Sequence, residues 1–129
     1  MAVRVLDPVL LWHGKIRNAV DIEQAQPEKP RQDVKHVAML SLCVPLFLED
    51  VRLQLPDAAR QKETLENYIT ALTAVKNSYS GRQFEARHSG VIRWPELIPS
   101  AVRQMPFDGR IQSSLRQLGG EGPSRGMRV

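Results

Sequence analysis

The most regular hydrophobic pattern in the chain lies in the stretch LENYITALTAVKNSYSG, from Leu65 to Gly81. Its apolar positions recur every three or four residues, the spacing that places side chains on one face of an α-helix. Asp57 precedes the stretch and is placed to cap the first helical turn, and Gly81 is placed to end the helix in the left-handed conformation. The pattern therefore predicts a helix that buries one face, made of Leu65, Tyr68, Ile69, Leu72, Val75 and Tyr79.

A second apolar segment, HVAMLSLCVPLFLEDV from His36 to Val51, lies upstream. Asp33 is placed to cap a helix through it, whereas Pro45 removes a backbone donor from its middle. Two arrangements stay open: one long helix kinked near Ser41, or a helix that restarts after Pro45 and covers Leu46 to Leu53. The alternating apolar residues at its end also fit a strand, but their apolar neighbours favour a buried helix. With about 12 apolar-rich positions, the segment is shorter than the ~20 residues that span a membrane.

The remaining chain gives weaker patterns. Asp7 and Pro8 are placed to start a short helix over residues 9–20, and GVIRWPELIP predicts one more short helix. The segment from Gln24 to Asp33 is polar and contains two prolines, which predicts a linker. These elements predict an all-α fold, a small and incomplete helical bundle with a disordered C-terminal tail. The expected segments are a short helix and linker over 1–32, a helical region over 33–99, and a largely disordered basic tail over 100–129.

Composition and charge narrow the class of protein without identifying a function. The 129 residues are 42% hydrophobic and 25% charged, but only 5% aromatic, which predicts a single domain with a core of aliphatic side chains. The net charge is +4 and the sequence pI is near 9.6. Because the positive charge is spread along the chain, a solvated surface is favoured over a contact with nucleic acid.

No group of residues in the sequence forms a recognisable catalytic or metal-binding motif. Cys43 is the only cysteine and lies in an apolar run, so we expect a small buried hydrophobic residue. His13, His36 and His88 lie far apart, which argues against a zinc site. The glycine-rich GGEGPSRG lacks the lysine of a phosphate-binding loop. We therefore expect no enzymatic activity, no cofactor and no metal.

The stretch PLFLEDVRLQLPDAARQKETLENYITALTAVKNSYSGRQF resembles part of a known family. It is similar to the C-terminal part of the regulatory middle region of fungal zinc-cluster transcription factors, in the cutinase-regulator subgroup. The resemblance is carried by Pro45–Leu55, by Tyr68 followed by TAL, and by Tyr79–Gly81 followed by Phe84. Ser80 departs from the aspartate usual in that family. The six clustered cysteines of its DNA-binding module are missing, as is the large helical region that normally precedes this part.

The resemblance implies a non-catalytic fragment of a nuclear transcription regulator that packs against other helices. Its partner would be another protein or the missing remainder of the regulatory region, and direct DNA binding, a membrane and a small-molecule ligand are not expected. The alternative is an unrelated small helical module that docks through the stripe on the helix at residues 65–79. Both hypotheses expect that stripe, made of Leu65, Tyr68, Ile69, Leu72, Val75 and Tyr79, to leave apolar surface exposed for a partner.

Overall fold

The computed structural model describes residues 7–26, 32–55 and 57–119. Within these ranges the chain forms six α-helices and one short 3-10 helix, without a strand, so the all-α prediction is confirmed. The α-helices are α1 (Pro8–Ala25), α2 (Gln32–Gln54), α3 (Ala58–Asn77), α4 (Tyr79–Arg87), α5 (Ser100–Arg103) and α6 (Gly109–Leu118), and the 3-10 helix covers Trp94–Leu97.

Aspartate caps begin α1 and α3 as the sequence predicts. Asp7 accepts a hydrogen bond from the Val9 amide at 2.9 Å, and Pro8 occupies the first turn of α1. Asp57 accepts from the Arg60 amide at 2.8 Å. Each carboxylate satisfies an amide that has no partner inside its helix. The α1 helix continues to Ala25 and is therefore longer than predicted.

The α2 helix is a single unbroken element from Gln32 to Gln54 with Pro45 inside it. The alternatives of a restart after Pro45 and of a strand at its end are therefore wrong. Val44 and Leu48, on either side of the proline, are fully buried, and their packing holds the helix together. The predicted cap is also wrong, because Asp33 lies in the first turn and its carboxylate pairs with Lys15 at 3.2 Å.

The junction between α3 and α4 is a sharp bend at Ser78, which has extended backbone angles. Its hydroxyl donates to the Val75 carbonyl at 2.7 Å, and the Gly81 amide donates to the same hydroxyl oxygen at 3.1 Å. The prediction that Gly81 ends α3 in the left-handed conformation is wrong, because Gly81 lies in the first turn of α4. A Cβ at Gly81 would lie 1.9 Å from the Val75 carbonyl oxygen, so glycine permits this close approach.

The C-terminal part is more ordered than the sequence predicts. The expected disorder from residue 100 is wrong for 100–118, which form α5 and α6. Asp108 caps α6 by accepting from the Ile111 amide at 3.1 Å, and α6 packs on α3. The glycine-rich residues 120–129 and the linker residues 27–31 lie outside the described residues. The side chains that bury this part are Val102, Phe107, Ile111, Leu115 and Leu118.

One hydrophobic core joins all these elements. Trp12 of α1 is fully buried, and its ring contacts Trp94 edge to face with centroids 5.7 Å apart. Helix α1 also packs along α2 and against α4. The three predicted segments therefore share a core, and neither the N-terminal helix nor residues 100–118 form an appendage.

Candidate interaction surface

The outward side of α2 carries exposed apolar side chains. Met39 is 63% exposed, Leu42 71% and Leu46 73%, and Cys43 between them is also exposed. Their spacing of three and four residues places them on one face of the helix. We call these four residues the α2 outer face. Leu53, which is 64% exposed, continues the same line toward the end of the helix.

The opposite side of α2 is buried in the core, through Val37, Ser41, Val44 and Leu48. The helix is therefore apolar on two opposite sides but covered on only one. A helix that is apolar on all sides is normally enclosed. The α2 outer face is thus an unpartnered surface of a kind that marks interaction sites in other proteins.

A buried hydrogen-bond pair fixes the rotation of α2 about its own axis. The Trp12 indole nitrogen donates to the Ser41 hydroxyl oxygen at 3.0 Å, and that hydroxyl donates to the Val37 carbonyl at 2.7 Å. A rotation that buried Leu42 would move Ser41 away from Trp12 and leave the indole donor unsatisfied in the core. The rotation that exposes the α2 outer face is therefore built into the fold.

Two open grooves flank the α2 outer face, one on each side. The groove toward α1 measures about 310 Å³ and includes Met39 and Cys43 in its wall. The other, about 430 Å³, lies between α2 and the segment at residues 90–96 and includes Leu42 and Pro45. The outer face is thus a ridge between two grooves, a shape that suits the packing of another helix.

Charged side chains lie at the two ends of this ridge. Lys35 is exposed one turn before Met39, and Asp50 is exposed one turn after Leu46. Glu49, beside Asp50, forms a hydrogen-bonded ion pair with Arg52 at 2.5 Å. That hydrogen bond, with the positive charge of Arg52, lowers the pKa of Glu49. The apolar ridge therefore runs from a cationic end to an anionic end.

Most residues of the stripe predicted on α3 lie in the hydrophobic core. Leu65, Ile69 and Leu72 are fully buried, and Val75 is nearly so. The expectation that this stripe leaves apolar surface exposed is wrong, because α2, α4 and α6 of the same chain pack against α3. The docking surface that the sequence places on α3 is thus covered by the chain itself.

The two tyrosines of that predicted stripe have different environments. Tyr68 is half-buried, donates a hydrogen bond to Asp7 at 2.8 Å, and contacts the Phe47 ring edge to face. Burial, together with the hydrogen bond and charge of Asp7, raises the pKa of Tyr68 to about 12. Tyr79 belongs to α4, is 55% exposed, and accepts a hydrogen bond from Gln24. Only Tyr79 of the predicted face is freely accessible.

The expectation that Cys43 is a small buried residue is wrong, since its side chain is exposed. The α2 outer face is indicated in the sequence by apolar residues that occupy both sides of this helix. That pattern indicates burial but does not say which side faces the chain's own core. Trp12, whose hydrogen bond decides this, lies 29 residues away from Ser41 in sequence.

Ionisable side chains elsewhere form structural contacts. Glu23 accepts from the His88 imidazole and pairs with Arg87 at 3.5 Å, which ties α1 to the end of α4. Burial, followed by the charge of Arg17, lowers the pKa of His13. Within residues 7–26, 32–55 and 57–119, no group of three or more His, Cys, Asp or Glu side chains is arranged to hold a metal ion.

Across residues 7–26, 32–55 and 57–119, no helix combines the length and the hydropathy that a bilayer-spanning segment requires. No family model, curated protein or solved structure matches this chain.

Proposed function

We propose that this protein is a non-catalytic interaction module that docks on another protein chain through the α2 outer face. The observation that carries the proposal is the line of exposed Met39, Leu42 and Leu46 on a helix whose other side is already buried. Exposed leucines scattered singly are common on protein surfaces, whereas a continuous apolar ridge between two grooves is characteristic of an interface.

The chemistry of the face suits a helical partner. Leucine and methionine side chains at helical spacing act as anchors when one helix packs in the groove of another. Burying each of Leu42 and Leu46 would contribute about 1.5–3 kcal/mol before the costs of association are subtracted. Met39 is flexible enough to adapt to the shape of the opposing side chains.

From the resemblance to fungal zinc-cluster regulators we propose a cellular setting for this docking. In this setting the chain is part of a nuclear transcription regulator and does not itself contact DNA. The resemblance rests on sequence stretches such as Pro45–Leu55, of which residues 45–54 form the second half of α2, and Tyr79–Gly81, which forms the first turn of α4. In that setting a fluorescently tagged full-length chain accumulates in the nucleus of a fungal host. Exclusion from the nucleus contradicts the setting and leaves the docking proposal standing.

The docking proposal is tested with a photo-activatable amino acid placed at position 46 of the full-length chain in its native host. Illumination is expected to give a discrete adduct of higher mass, because the Leu46 side chain is 73% exposed. The same amino acid at position 63, which is exposed on α3, is the matched control. No adduct at position 46, or the same adducts at both positions, contradicts docking through this face.

A further inference from the structure

We infer that the partner on the α2 outer face is a second copy of this chain, and that the two α2 helices pack antiparallel about a two-fold axis between Leu42 and Cys43. The inference rests on the proposed function, because it names the occupant of the same surface. It follows from the order of charged and apolar residues along that surface and from the shape around it.

The exposed residues of α2 form a pattern that is symmetric about its centre. Leu42 and Cys43 are adjacent at the middle, Met39 and Leu46 lie three residues outward on either side, and Lys35 and Asp50 lie four residues beyond those. The central positions are apolar and the end positions carry opposite charges. A symmetric dimer requires such self-complementarity, because each copy must offer both halves of every contact.

The charges select the antiparallel arrangement. When two α2 helices run in opposite directions about this centre, Lys35 of each copy faces Asp50 of the other, and Met39 faces Leu46 in the same way. A parallel pair in register would instead place Lys35 beside Lys35 and Asp50 beside Asp50, which repels at both ends. The antiparallel contact spans roughly 22 Å between its charged ends, at 1.5 Å per residue.

The surroundings of the ridge leave room for a second helix. The groove on the Cys43 side is lined by α1 and α2 and includes the half-exposed Leu11. The groove on the Leu42 side is lined by α2 and by residues 90–96. Each copy therefore has a groove on either side of its ridge. In the dimer these grooves receive the side chains that flank the ridge of the other copy, as in ridges-into-grooves packing.

The inferred axis places the two Cys43 residues close to each other. Cys43 lies half a residue from the centre of the pattern, and an antiparallel two-fold axis keeps both copies of this residue on the same side of the contact. For helix axes separated by the usual 8–10 Å, the two Cys43 Cα atoms would lie about 5–7 Å apart. That separation falls largely within the range that a disulfide bridges.

The inference is tested by a charge swap measured by sedimentation equilibrium of the full-length chain. Lys35→Glu and Asp50→Lys each create two like-charge contacts in the dimer, so each is expected to weaken self-association about 10-fold. The double variant K35E/D50K restores both contacts and is expected to return to within about 3-fold of the wild type. Arg60→Glu and Glu63→Lys, at exposed positions of α3, make the same changes of charge away from the face and are expected to leave self-association unchanged.

A wild-type chain that stays monomeric, or a double variant weaker than either single variant, overturns the inference. Circular dichroism checks that each variant stays helical, and both changed positions are exposed. The adduct at position 46 separates this failure from failure of the docking proposal. An adduct of about twice the 14.6 kDa chain mass supports the second copy. An adduct of another mass with a monomeric chain overturns only the second copy, and the absence of any adduct overturns both.

Discussion

Tyr68 joins the middle of α3 to the start of α1, and its removal gives a prediction that depends on pH. Its hydroxyl donates to one carboxylate oxygen of Asp7, while the other oxygen caps α1 by accepting from the Val9 amide. Replacing Tyr68 by phenylalanine removes the hydroxyl and keeps the ring that contacts Phe47. The change therefore isolates the hydrogen bond between the two helices.

The size of the effect follows from the pKa of Tyr68, which burial and the contact with Asp7 raise from 10.0 to about 12. A pKa raised by folding means that the phenol stabilises the fold fully below the unfolded value. This stabilisation is lost as pH rises through the folded value. Each pKa unit corresponds to about 1.36 kcal/mol, and partial solvent exposure of the pair reduces the total to about 1–2 kcal/mol.

The assay is urea unfolding of the wild type and Tyr68→Phe, followed by circular dichroism from neutral pH to about pH 12. The variant is expected to be less stable by about 1–2 kcal/mol at neutral pH. The difference should shrink as pH rises above 10, because only the wild type gains an ionised phenol on unfolding. A stability difference that stays constant over this range would show that the Tyr68 hydroxyl does not make this pH-dependent contribution. In a Tyr79→Phe background Tyr68 is the only tyrosine, so tyrosinate absorbance reports its titration alone.

Four further substitutions test the packing and one helix cap. Gly81→Ala is expected to cost about 2–3 kcal/mol, since its Cβ would lie 1.9 Å from the Val75 carbonyl oxygen. Gly14→Ala, which has open space around it in α1, should stabilise by about 0.5–1 kcal/mol. Equal melting temperatures for these two alanine variants would contradict the close approach at Ser78. Trp12→Phe is expected to cost about 2 kcal/mol through the lost hydrogen bond to Ser41 and lost volume, measured by urea unfolding. Asp57→Ala should lower the free energy of unfolding by about 1 kcal/mol in the same assay, and an unchanged value would show that this cap does not stabilise α3.

Much of the helical architecture can be predicted from the sequence, because its signals are local. Asp7 and Asp57 cap their helices through contacts that span two or three residues. The apolar spacing of α3 likewise depends only on positions along one helix. The core residues Leu65, Ile69 and Leu72 are therefore visible in the sequence, although their partners are not.

The candidate surface was not predictable, because long-range contacts decide it. Helix α2 is apolar on two sides, and the buried hydrogen bond between Trp12 and Ser41, 29 residues apart, holds one of them inward. Cys43, interpreted from the sequence as buried, lies on the other side for that reason. Residues 100–118 show only weak periodicity in the sequence. They become ordered through the packing of α5 on α2 and of α6 on α3.

Oxidation of Cys43 probes the inferred antiparallel contact between two α2 helices through a covalent bond. The inferred axis brings the two Cys43 residues within disulfide reach, so a mild thiol oxidant such as diamide is expected to convert the wild type rapidly into a covalent dimer. The control is the variant Cys43→Ser/Glu63→Cys, which carries its only cysteine at an exposed position of α3. We expect the wild type to cross-link at least about 10-fold faster than this control, because pairing raises the effective thiol concentration. Equal rates, or no cross-linking of the wild type, would contradict an antiparallel contact centred between Leu42 and Cys43.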